Sequence, residues 1–146
     1  MRRKRAAGPG TRRALPRRRA RILDRVESPL DLKELSPDEL EQLASECRET
    51  IIGTITKTGG HLASNLGVVE LTLALHRAFD SPVDRFVWDT SNQCYTHKLV
   101  TGRRDRFPSI RTPGGLSGFA EPSESPHDTL AAGHAGTGLS LSLIHI

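Results

Sequence analysis

The 146-residue chain is long enough for one domain with a modest core, and its 36% hydrophobic and 4% aromatic content is low for a self-contained α/β unit. No stretch approaches the roughly 20 apolar residues of a membrane-spanning helix, so an integral helical membrane protein is not expected. The net charge of +4 conceals a division: residues 1–21 carry ten Lys/Arg and no acid, which leaves the remaining 125 residues at −6.

The basic stretch "MRRKRAAGPGTRRALPRRRAR" has no aromatic residue and only Leu15 as a large apolar group, a composition that predicts disorder. Three roles compete for it. It could contact nucleic acid phosphates. It could be a targeting peptide, although it lacks an apolar core and any serine. The favoured reading is a solvated extension, including an upstream stretch added by the choice of start site, so a nucleic-acid partner is not expected.

Ser36-Pro37-Asp38-Glu39 predicts a helix start, with Ser36 as cap, Pro37 at the first helical position and Glu39 closing a capping box. Leu40, Leu43, Ala44, Cys47, Ile51 and Ile55 recur at helical spacing, Glu46 falls on another face, and Gly59-Gly60 ends the helix. A second helix is expected from about Asn65 to Phe79, capped by Ser64 or Asn65 and stopped by Ser81-Pro82. Its leucines and valines cover most of its circumference, so it should be buried on nearly all sides, with His76 a core histidine rather than a ligand.

Arg85–Asp89, "RFVWD", reads as a buried strand, and the polar "TSNQ" after it falls where open α/β sheets place binding residues. "CYTHKLVTG" predicts a short helix closed by Gly102. Residues 103–128 are rich in Gly and Pro, a long loop of the kind that is more often functional than idle. The final "GHAGTGLSLSLIHI" suggests a Gly-rich turn into a buried helix that stops without a cap, more like a cut than a natural terminus. Cys47 and Cys94 have no metal-ligand spacing and fit a reducing cytoplasm better than a disulfide scaffold or a zinc site.

Several short motifs invite chemistry. In "TKTGGHLASNLG" two glycines precede His61 at a helix N-terminus, which offers backbone donors to an anion and a ring able to move a proton near neutral pH. A plain helix break with His61 packed against it explains the same spacing. Gly133–Gly138 resembles a phosphate loop but matches neither the Walker A pattern nor G-x-G-x-x-G, and "GGLSGF" misses a nucleophile elbow by one position. His97-Lys98 and Arg103-Arg104 could hold anions, with surface charge the plainer explanation.

The order of these segments is more specific than any one of them. "KTGGHLASNLGVVELTLALHRAFDSPVDRFVWDTSNQCYTHKLVTGRRDRF", then "GGLSGF", "SES" and "GHAGTGLS", closely resembles the N-terminal part of the 1-deoxy-D-xylulose-5-phosphate synthases, transketolase-like thiamine diphosphate enzymes. The resemblance runs from about Ile22 to Ser140 and includes "SPLDLKELSPDEL". It implies an α/β fold, here the incomplete start of a doubly wound, mainly parallel thiamine diphosphate-binding domain. Residues 1–21 would be an extension and 141–146 a truncated or non-native end. It implies an enzyme that joins pyruvate, with loss of CO2, to D-glyceraldehyde 3-phosphate in isoprenoid-precursor synthesis, using thiamine diphosphate and Mg2+ as a cytoplasmic homodimer.

By position, His61 corresponds to the histidine of the family's Gly-Gly-His motif, near the cofactor's reactive ring. Gly133, His134 and Ala135 correspond to a Gly-His-Ser cofactor contact, with Ala135 replacing the hydroxyl. Asn92 stands where the family's Gly-His-Gln-Ala-Tyr run has histidine; here the run reads Ser91-Asn92-Gln93-Cys94-Tyr95. Asn92 can donate a hydrogen bond but cannot titrate. The family's Gly-Asp-Gly metal stretch and the glutamate of its second domain have no counterpart in the sequence, so the isolated chain is expected to be inactive. The alternatives are another transketolase-like thiamine diphosphate enzyme, a non-catalytic fragment with a nucleic-acid-binding basic tail, or a gene-model fragment with no independent role.

Overall fold

The computed structural model describes residues 20–144, apart from the side chain of Ser142. The basic extension expected over 1–21 therefore lies almost wholly outside the described residues, as do residues 145 and 146. Among the described residues no helix is long and apolar enough to cross a membrane.

The longest element, α1 (Pro37–Thr58), starts as its sequence dictates. Ser36 N donates to Glu39 Oε2 at 3.0 Å, and Glu39 N donates to Ser36 Oγ at 3.3 Å, which satisfies two of the amide groups a helix start leaves unpaired. Leu43, Ala44, Cys47, Ile51 and Ile55 form its buried stripe. Glu46 is buried too, contrary to its expected place on another face. Its carboxylate accepts from Leu23 N at 2.8 Å and from Gln42 Nε2 at 2.8 Å, fastening the incoming segment to α1.

The expected second helix is two helices, α2 (Leu62–Leu66) and α3 (Val69–Ala78), separated at Gly67 and Val68. Neither Ser64 nor Asn65 caps α3, whose preceding residue is Val68; Asn65 is buried within α2. Nor is α3 buried all round. Val69, Thr72, Leu73 and His76 face inward, while Leu71 is 55% exposed. Six leucines and valines between residues 66 and 75 hid an ordinary amphipathic helix, because the described part of the chain covers only one of its faces.

Residues 85–89 belong to no ladder, and no strand occurs among the described residues. The expected strand is corrected for a simple reason: a strand is defined by its hydrogen-bonded neighbour, and the described segments that touch residues 85–89 meet them through side chains rather than a backbone ladder. After it, α4 (Tyr95–Lys98) continues into a wider π turn, Leu99–Arg103, that ends where Gly102 takes φ +79°. The stretch 103–128 is irregular but ordered by close approaches: a Cβ on Gly115 would lie 1.9 Å from the Ser109 carbonyl oxygen. Last comes α5 (Thr137–Ile144), expected to be buried, yet Leu139, Leu143 and Ile144 are all more than 60% exposed.

Candidate functional site

The Gly-Gly-His turn is built at the junction of α1 and α2. Gly59 ends α1 at φ +74°, and Gly60, at φ +144°, passes so close to Tyr95 that a Cβ there would meet its hydroxyl at 2.8 Å. His61 N then donates to Tyr95 Oη at 3.4 Å, and the His61 ring tilts against Phe119 with centroids 5.8 Å apart. Its Nδ1 is shielded from solvent and has no hydrogen-bond partner among the described residues. Arg111, which no sequence pattern singled out, lies alongside. Its side chain crosses Gly60 and Gly118, within 3.3 Å and 2.9 Å of where their Cβ atoms would be, and its guanidinium has no hydrogen bond or ion pair among the described residues.

Asn92 sits on the loop that follows residue 89, shaped by two successive left-handed residues, Thr90 (φ 60°) and Ser91 (φ 62°). Ser91 is fully buried, and its Oγ accepts from Ala120 N at 2.6 Å, tying this loop to the 103–128 stretch. The Asn92 carbonyl accepts from Asn65 Nδ2 at 2.8 Å and from Ser64 Oγ at 3.5 Å. The Asn92 side chain is half-buried and has no hydrogen bond among the described residues.

Gly133, His134 and Ala135 are exposed, and their backbone N–H groups have no partner among the described residues. The next donors are occupied. Gly136 N and Gly138 N donate to the Asp89 carboxylate at 3.0 Å and 3.2 Å, which holds the Asp89 carboxyl below the usual carboxylate range. The start of α5 thus already faces a negative group, as helix N-termini favour. No hydrogen bond or ring contact joins His134 to His61. The structure brings both turns to one loop instead: the Gly133–Gly138 turn through Asp89, the Gly-Gly-His turn through Asn92.

The four basic residues expected at the surface divide sharply. Arg104 keeps some exposure, but His97, Lys98 and Arg103 are buried. Arg103 donates bidentately to Asp128, at 2.6 Å to Oδ2 and 2.8 Å to Oδ1, and Lys98 Nζ donates to Glu124 at 2.5 Å. Asp128, held ionised chiefly by His97 and Arg103 against the effect of burial, accepts from His97 Nε2 at 2.9 Å. His97 Nδ1 then accepts from His76 Nε2 at 2.8 Å. Burial drives the His76 pKa down to about 3, with neighbouring His97 opposing its charge further. His76 is the core histidine expected, though its Nδ1 is left without a partner.

The two thiols offer no chemistry. Cys47 and Cys94 are free and buried, and burial pushes both pKa values up to about 12. A cavity of about 420 Å³ opens between α1 and α3, lined by Leu40, Ala44, Leu73 and Ala74, and touches none of the expected site residues. Among the described residues no group of three His, Cys, Asp or Glu side chains could hold a metal ion.

Comparison with known proteins is specific. The sequence profile of the 1-deoxy-D-xylulose-5-phosphate synthase family matches residues 23–144. The chain is 61% identical over 124 residues to 1-deoxy-D-xylulose-5-phosphate synthase 2 of Geobacter sulfurreducens, covering 85% of this chain and 20% of that protein. Against the 1-deoxy-D-xylulose-5-phosphate synthase of Thermomicrobium roseum it is 63% identical over 122 residues, 83% of this chain and 19% of that one. The Thermus thermophilus synthase is 60% identical over 122 residues, 84% of this chain and 20% of the relative. The chain therefore spans about a fifth of the length of the curated relatives it matches.

Proposed function

The chain belongs to the 1-deoxy-D-xylulose-5-phosphate synthase family, and on that premise we propose that residues 22–140 form the first part of a thiamine diphosphate-binding domain. The whole protein is a transferase that condenses pyruvate with D-glyceraldehyde 3-phosphate, releasing CO2 and 1-deoxy-D-xylulose 5-phosphate. It works as a cytoplasmic homodimer, with residues 1–21 outside the catalytic unit. In the complete domain, residues 85–89 are one strand of a doubly wound, mainly parallel sheet whose other strands come from outside the described residues.

The observation that carries this reading is the His61 ring, whose Nδ1 is shielded and unpartnered beside an open turn. Such an atom suits a polar heteroaromatic ligand, and the unpaired N–H groups of Gly133, His134 and Ala135 suit phosphate oxygens. Thiamine diphosphate, when bound, supplies an electron sink for decarboxylation. His61 holds or moves a proton at its ring nitrogen. Asn92 offers an amide hydrogen bond and cannot take up a proton, and Ala135 offers its backbone N–H alone. Magnesium, which the family pairs with the cofactor, has no ligand set among the described residues.

The test is a chimera in which residues 23–144 replace the matching segment of the Geobacter sulfurreducens synthase 2. It should form product from pyruvate and glyceraldehyde 3-phosphate, and His61→Ala in it should cost about 10²–10⁴-fold in kcat/KM, as loss of a positioned proton-transfer group does. A folded chimera without turnover refutes the proposed activity. A His61→Ala chimera of undiminished rate refutes the role of His61.

A further inference from the structure

Asn65 is fully buried on α2, and its side chain bonds to the Gly-Gly-His turn, to the Asn92 loop and to the start of α4. Its Nδ2 donates to the His61 carbonyl at 2.5 Å and to the Asn92 carbonyl at 2.8 Å, while its Oδ1 accepts from Tyr95 N at 2.9 Å. Tyr95 closes the circle, because its hydroxyl accepts from His61 N. One amide thus joins segments 27 and 30 residues away to its own neighbour four residues back. Both carbonyls are satisfied inside the protein. What this turn and this loop have left to offer are the His61 ring and the Asn92 amide, neither of which has a hydrogen bond of its own among the described residues.

We propose that Asn65 is a positioning residue for the candidate cofactor site, fixing His61 relative to the Asn92 loop through this three-bond clasp. The inference rests on the function proposed above for that site. It follows from the donor inventory: only a side-chain amide of this length carries two N–H donors and an acceptor on one planar head, and both donors are used here on carbonyls of different segments. An aspartate has the same shape and keeps the acceptor for Tyr95 N, but it sets a carboxylate oxygen against two carbonyl oxygens. The two turns must then separate, or each carbonyl must find water.

Asn65→Asp is compared in the chimera with Leu73→Ala, a buried change on α3 that faces the α1 groove and touches neither turn. Thermal midpoints of both are recorded with thiamine diphosphate saturation curves and kcat. Asn65→Asp should lower kcat or raise the half-saturating cofactor concentration by roughly a hundredfold, the scale of a misplaced catalytic group. Leu73→Ala should lower the thermal midpoint and leave cofactor saturation unchanged. Equal saturation behaviour in the two variants at equal thermal loss would make Asn65 merely structural and overturn the proposal. If the parent chimera folds but has no activity, the proposed function fails by itself, and nuclear magnetic resonance of the 146-residue chain decides the clasp. There Asn65→Asp should move the His61 ring and Asn92 side-chain resonances while Leu73→Ala does not. Unmoved resonances would overturn it.

Discussion

Replacing Arg103 by Met probes whether the buried ion-pair network holds the 103–128 stretch to the helices. Two cations, Lys98 and Arg103, face two carboxylates, Glu124 and Asp128, and all four side chains are at most 9% exposed. Arg103→Met removes the bidentate pair to Asp128 and the 2.8 Å bond to Thr101 Oγ1. Lys98 Nζ, 4.0 Å from Asp128 and already committed to Glu124, cannot replace it. Breaking one partner out of a buried pair costs about 3–5 kcal/mol, because the other charge stays buried and uncompensated. That is a large share of the roughly 5–15 kcal/mol that stabilises an ordinary domain. Trp88, the sole tryptophan, is buried with its ring 5.5 Å from that of His97, so its fluorescence reports on this region during urea unfolding. Asp128→Asn combined with Arg103→Met should cost less than the two singles together, with a coupling of about 1–3 kcal/mol. A cost below about 1 kcal/mol for Arg103→Met, the level of a surface pair, or strict additivity in the cycle, would refute the reasoning.

Two further predictions use the same unfolding assay. His76 and His97 are both held below their ordinary pKa, chiefly by burial, so the folded chain keeps them neutral while the unfolded chain protonates them. Their contribution is complete above about pH 6.5 and is lost as pH falls, by about 1.4 kcal/mol per pH unit for each histidine that stays neutral; a flat stability between pH 7 and pH 5 would contradict this. At Ser91, the left-handed backbone disfavours a side chain while Oγ satisfies Ala120 N, so Ser91→Ala should cost about 1–3 kcal/mol and Ser91→Gly should be the milder change by about 1 kcal/mol. The reverse order would show that the turn is not strained.

What was legible in the sequence was what neighbours decide. The Ser36 box, the Gly59 stop and the Gly102 stop depend on groups within four residues of one another, and each forms where the residue types indicate. The break between α2 and α3 was not legible, since Gly67 and Val68 interrupt the backbone without interrupting the apolar pattern. Lys98 and Arg103 looked like surface cations because the carboxylates that neutralise them are 26 and 25 residues further along. The site divides in the same way. His61 and Gly133–Ala135 could be nominated from glycine and histidine chemistry, whereas Asn65 looked like a helix cap and Arg111 was not singled out at all. Their importance lies in long-range contacts that no local pattern encodes.

Those long-range contacts also sort the three departures from the family's Gly-His-Gln-Ala-Tyr run. Ser91 stands at the glycine position, where φ is 62°, and recovers part of that conformational cost through its bond to Ala120 N. Cys94 stands at the alanine position as a small buried hydrophobe, its thiol kept protonated by burial. Both changes are absorbed by packing and leave the course of the loop to Asp89, Asn65 and Tyr95. Asn92 is different. Its backbone is clasped by Asn65 as firmly as any in the site, yet its side chain has no partner to absorb the replacement of an imidazole by an amide. An imidazole at this place could exchange a proton near neutral pH, and an amide cannot. The chemical consequence of this run therefore concentrates in one side chain, and Asn92→His in the chimera, with Asn65 intact to hold it, should change the pH profile of turnover more than its thermal midpoint.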